Sequence, residues 1–165
     1  MTKETNKIHP FNSPIECGLR CLVLLEHAFP IKYDLQRLVH YDYLLVHSGD
    51  AGGPKSIHPA TPYRSGEVLI KRQMLEHGLF LMMSRDLIVR QYDTSGIIYI
   101  ASDIATPFLD NLQSRYVKQL KDRAAWVIKI FDAYDEKKLK KFFHKNLDRW
   151  GGEFEKAALL KHMDL

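Results

Sequence analysis

The chain has almost no thiol chemistry: two cysteines in 165 residues, Cys17 and Cys21. A tetrahedral zinc site would need two further ligands beside them. No Cys-x-x-Cys or His-Glu-x-x-His spacing occurs, and no two of the eight histidines lie four residues apart. Gly49, Gly52 and Gly53 fit neither phosphate-binding loop pattern. No apolar run approaches the ~18 residues of a membrane span. The opening Met-Thr-Lys-Glu-Thr-Asn-Lys lacks the apolar stretch of an export signal. Internal repeats and low-complexity runs are missing as well. These absences exclude the common metal, nucleotide and membrane motifs. A cytoplasmic protein without cofactor, metal or catalytic residues is expected. In that compartment a structural disulfide is not expected, and the cysteines, one helical turn apart, read as buried core thiols. A Cys–His hydrolase would need a thiolate-lowering environment of which the sequence gives no sign.

The chain does have enough apolar residues for a core, with 45% hydrophobic and 27% charged positions. Its length fits one domain, or a small domain with an appended helical segment. Residues 1–12 are polar and read as a flexible arm. Ser13, Pro14 and Glu16 announce a helix to about Ala28 by the N-cap, first-position proline and capping-box pattern. Asp34 caps a second helix through Val46. A third begins near Ser65, with Gly78 either ending it or lying inside a longer helix through Met83. The period then switches. Leu87–Tyr92 and Ile97–Ala101 read as strands joined by the turn Asp93–Gly96, a β-hairpin. Helical patterns follow at 104–112, after Ser114, at 135–150 and at 153–163.

Three helices followed by a hairpin is the order of a winged helix-turn-helix. The expected fold is therefore mainly α with a β-hairpin: a winged-helix-like domain over 13–101, and C-terminal helices over 102–165 packed on it. Such a domain can place its third helix in the major groove and its wing on the backbone. Lys71, Arg72, Arg85 and Arg90 are the candidate DNA contacts there. Glu67 and Glu76 dilute this helix, so the same charges also read as a solvated surface. The overall excess is only +4. Residues 115–149 are richer, with eleven basic against five acidic side chains. Lys137, Lys138, Lys140 and Lys141 cluster there, as a soluble face or as further DNA contacts.

The stretch from Ser48 to Pro62 has no periodicity and is long for a plain connection. It reads as a partner-binding element, mobile alone and ordered in a complex. His40 and His47 share a helix face, and His58 could join them around a metal with Asp42 or Asp50. The alternative is a helix exit at His47-Ser-Gly-Asp50, with Gly49 left-handed and Asp50 bonding the turn.

Several local strings carry a resemblance. They are Phe11-Asn-Ser-Pro-Ile-Glu-Cys-Gly-Leu-Arg20, Asp34-Leu-Gln-Arg-Leu-Val39, Tyr41-Asp-Tyr-Leu-Leu-Val-His-Ser-Gly-Asp50, Ser56-Ile-His-Pro59, Tyr63-Arg-Ser-Gly-Glu67 and Ala124-Ala-Trp-Val127. Over about residues 10–155 the chain resembles the small middle component of bacterial ABC-three-component systems, the group that includes the Lamassu antiphage systems. The resemblance implies a non-catalytic adaptor beside a large SMC/Rad50-like ATPase that senses DNA and an effector subunit, often a nuclease. Double-stranded DNA would be met weakly, or through the complex. Candidate partner-interface residues are His47, Ser48, Gly49, Asp50, His58, Tyr63 and Arg64. The lysine-rich last third departs from the resemblance and leaves direct DNA contact open. The competing reading is a dimeric winged-helix transcription regulator.

Overall fold

The computed structural model describes residues 13–59 and 64–151, and within these not the side chains of 64–71 and 147–151. The arm 1–12 and the helix read at 153–163 lie outside the described residues. Six helices and one hairpin follow in order: α1 Pro14–Ala28, α2 Leu35–Val46, α3 Arg64–Ser84, β1 Ile88–Asp93, β2 Gly96–Ala101, α4 Ala105–Asp110, α5 Arg115–Phe131 and α6 Glu136–Gly151. A 3-10 turn, Ser48–Ala51, follows α2.

The helix starts are set by short polar side chains that satisfy otherwise orphaned N–H groups. The Ser13 hydroxyl accepts from Glu16 N–H at 3.3 Å, the Asp34 carboxylate from Arg37 N–H at 2.8 Å, and Ser114 from Val117 N–H at 3.2 Å. The apolar faces behind these caps meet in one core. Leu22, Leu25, Leu38, Leu45, Leu75 and Leu79 from the first three helices share it with Leu120, Val127, Phe131, Leu139 and Phe143 from α5 and α6.

Gly78 lies inside α3, which runs on to Ser84. Its use is close approach, since α1 and α3 cross at Gly18 and Gly78. A Cβ built on Gly18 would lie 2.5 Å from the Gly78 carbonyl oxygen, and one on Gly78 would lie 2.5 Å from the Pro14 carbonyl oxygen. A helix breaker by propensity is here the residue that lets two backbones touch.

The end of α3 is a Schellman motif without glycine. Leu87 N–H bonds the Met82 carbonyl and Asp86 N–H the Met83 carbonyl, both at 3.0 Å. Asp86 takes the left-handed position, with φ 58°. This turn aims the chain into β1. The hairpin pairs Ile88 with Ala101 through Asp93 with Gly96, antiparallel. The Asp93 carboxylate closes the turn by accepting from Ser95 N–H at 2.7 Å and Gly96 N–H at 3.1 Å. The Ser95 hydroxyl donates to the same carboxylate oxygen at 2.5 Å, and this bond first, then the backbone bonds, holds the Asp93 carboxyl below its usual value.

A single residue forms a third rung. Tyr33 N–H bonds the Tyr99 carbonyl at 3.1 Å and Tyr99 N–H returns the bond to Tyr33 at 2.8 Å. The segment between α1 and α2 is thereby tied to the hairpin. The order of elements and this bridge are compatible with a winged helix.

Candidate functional site

The tract ending in His47–Asp50 is folded inward. Every residue from Leu38 to Ser48 is buried, and its polar members are matched from neighbouring helices. Arg20 on α1 is fully buried and forks onto Asp42 of α2: Nε donates to Oδ1 at 2.5 Å and Nη2 to Oδ2 at 3.1 Å. Nη2 also meets Cys17 Sγ at 3.2 Å. Burial opposes the guanidinium charge, but the Asp42 carboxylate outweighs it and raises the Arg20 pKa above its usual value. The second thiol, Cys21, is driven well above the usual thiol range by burial and then by the nearby Asp42 charge. A neutral, enclosed thiol is a poor nucleophile.

Tyr43 donates its hydroxyl hydrogen to Asp50 Oδ2 at 2.6 Å, and its ring lies 4.8 Å from that of His47. The His47 and His58 rings stand perpendicular at 6.2 Å. His58 Nε2 is 3.0 Å from the hydroxyl of Tyr116 on α5, whose pKa burial raises. His40 turns elsewhere, stacking on Phe143 at 4.3 Å and meeting Gln36 Nε2 at 3.2 Å. Burial, followed by the Arg37 charge, lowers its pKa to about 4. His40, His47 and His58 therefore do not converge. No group of three or more His, Cys, Asp or Glu side chains among the described residues could hold a metal ion.

Residues 48–59 are closed onto the body by the loop's own bonds. Ile57 and His58 N–H groups both donate to the Val46 carbonyl at 3.0 Å. The Ser48 hydroxyl donates to the Pro54 carbonyl at 2.8 Å, and Gly49 N–H to the Ser56 hydroxyl at 3.0 Å. From α5, the Arg123 guanidinium holds the Lys55 carbonyl at 2.8 and 3.2 Å, and Trp126 covers Gly53. The left-handed glycine of this turn is Gly52, φ 73°, in place of Gly49, and Asp50 serves Tyr43 where a turn-bonding role was expected. Missing alternation hid this packing. Its sequence signals were small residues at 49, 52 and 53, and an aromatic partner 73 residues after the last of them.

Of the interface candidates, His47, Ser48 and His58 are internal, Gly49 is exposed and Asp50 is half-buried. Tyr63 and the Arg64 side chain lie outside the described residues.

The DNA candidates fall on three surfaces. Arg72 and Arg90 flank the groove between α3 and the hairpin, about 560 Å³ in volume. Arg72 is bonded to Gln36 Oε1 at 2.8 Å, and Arg90 covers the Tyr92 ring at 5.7 Å. Phe80 and Tyr92 stand exposed on the same face, and Glu76 and Asp34 balance the arginines. Arg85 is set apart, at the junction of α1, α3 and α4. Lys71 has no described side chain. On α6, Lys137, Lys138, Lys140 and Lys141 are all exposed, with the Lys138 ammonium 4.1 Å over the Tyr134 ring. The structure does not bring the seven described cations into one patch.

No helix among the described residues is long and apolar enough to cross a membrane. Residues 10–153 match the family model described as the ABC-three component (ABC-3C) system Middle Component 2. No curated protein and no solved structure matches the chain.

Proposed function

The chain belongs to the ABC-3C Middle Component 2 family and is thus one part of a multi-component system; from that premise we propose that it is a non-catalytic adaptor in an antiphage or anti-plasmid defence complex of the Lamassu type. In this reading it bridges a DNA-sensing SMC-like ATPase and an effector, often a nuclease, in the cytoplasm. The match over residues 10–153 carries the proposal.

The chemistry of the described residues supports it. Arg20 with Asp42 and Tyr43 with Asp50 are matched internally, and the pKa of Cys21 is raised rather than lowered. Groups spent on one another favour a rigid shape over a reaction. The α3–hairpin face, with Phe80 and Tyr92 exposed beside balanced charges, has the composition of a protein-binding surface. The exposed α6 lysines suit backbone contacts to DNA that an ATPase already holds. A handful of such contacts supports non-specific binding with Kd on the order of 10⁻⁴–10⁻⁶ M, and tethering to the ATPase raises the effective concentration.

The winged-helix-like element order favours a second reading, a DNA-binding transcription regulator, although fold alone does not decide function. Titration of the purified chain into duplex DNA at two salt concentrations separates the two. The adaptor binds weakly, without sequence preference and with a steep salt dependence. A regulator binds a pseudo-palindromic site tightly on its own.

A further inference from the structure

Ile15 and Leu19 on α1, Leu81 near the end of α3, and Ile104 and Phe108 at α4 line an apolar groove of about 570 Å³. Ile15 is 63% exposed, and Leu81, Ile104 and Phe108 are exposed too. Four such side chains around one cleft on a small protein mark a binding surface. The Schellman turn explains how the groove is built. By ending α3 at Ser84 it lays Leu87 against Met82, and both form part of the lining. It also leaves Arg85 on the rim, the one charged residue among the described residues of the lining. Among the described residues the Arg85 guanidinium has no ion-pair partner.

We propose that this groove receives an amphipathic helix from another subunit of the complex, with an aspartate or glutamate of that helix paired to Arg85. The inference rests on the adaptor reading. Walls made from three helices offer ridges and grooves that a fourth can fill. Apolar anchors at i, i+3 or i+4 and i+7 would seat on Ile15, Leu81 and Phe108. The Arg85 guanidinium on the rim selects an acidic helix and sets its direction, because a charge-assisted bond to a guanidinium is directional.

The test is binding of the full chain to the purified ATPase and effector subunits encoded in its own operon, at low and high salt. Ile15→Glu places a carboxylate in the groove at a helix N-terminus, where it suits the helix dipole. This variant and Ile104→Glu should weaken binding to one subunit at least tenfold with unchanged thermal unfolding. Ile15→Lys should lose less than Ile15→Glu. Arg85→Glu should weaken binding several-fold at low salt and flatten the salt dependence. Wild-type-like binding by these variants overturns the groove inference and leaves the adaptor reading standing. If the wild-type chain binds neither subunit, the adaptor reading itself fails. If the variants instead convert a dimer to a monomer, or expose residues 1–12 to protease with subunit binding unchanged, the occupant is a second copy or the chain's own arm, and the proposal falls.

Discussion

Trp126 covers Gly53 so closely that any side chain at Gly53 would collide with the indole ring. This contact joins the loop after α2 to α5 and fixes the shape of the tract His47–Asp50. Gly53→Ala should therefore destabilise the protein by about 1–3 kcal/mol, the range for overpacking. Trp126→Ala should cost about 2–3 kcal/mol, less than for a fully enclosed tryptophan because the ring is half-buried. In both variants amide exchange at Gly53, Ile57 and His58 should accelerate before that of α1. Equal exchange in variant and parent would show that the loop does not depend on this contact.

The Arg20–Asp42 pair sits where neither residue reaches water. Asp42→Asn or Arg20→Met alone leaves a buried charge without its partner and should cost about 3–5 kcal/mol. Replacing both with apolar residues of similar volume should be far milder than the sum. A double-mutant cycle by urea unfolding reads the coupling. Additive losses would mean that the two groups do not act as a pair.

His40 gives a pH dependence with a definite sign. Its folded pKa is lowered from 6.5 to about 4, so it folds as the neutral imidazole. Between these values the unfolded chain binds more protons, and stability falls as pH drops from about 6.5 toward 4. The loss from this group approaches roughly 3 kcal/mol at the acid end. Urea midpoints at pH 7 and pH 4.5 measure it, and His40→Gln should make the difference between the two smaller. An unchanged difference would assign the acid sensitivity to other groups.

Asp86 holds a left-handed backbone that favours glycine. Asp86→Gly should raise stability by up to about 1 kcal/mol, since the left-handed penalty of 1–2 kcal/mol is partly offset by glycine's greater freedom in the unfolded chain. Gly78→Ala should do the opposite, by pressing a methyl against α1. Thermal unfolding of both variants decides the pair of signs.

These residues also mark where the sequence can and cannot be read. Ser13, Asp34 and Ser114 act locally, so each announced its helix correctly. The switch from helical to alternating period announced the hairpin. Gly78 leaves two readings open, a helix end or a longer helix, because its role belongs to a second helix, which only the assembled fold supplies. Asp86 gives no glycine signal, and Tyr33 is a strand of one residue with no period to detect. The stretch 48–62 shows no period because the contacts of its described part, 48–59, come from Trp126 and Arg123, far along the chain. His47 and His58 attract a site reading by their chemistry, while long-range packing turns both inward. The groove around Ile104 has no sequence signature, since its walls come from three separated helices.

The central claim is that this chain joins two other subunits. Mixing the purified ATPase and effector from its operon, with and without the chain, and following size-exclusion with light scattering tests it most directly. The account predicts one complex containing all three proteins, and separate ATPase and effector peaks when the chain is omitted. Co-elution of ATPase and effector without it, or a chain that joins neither, would contradict the account.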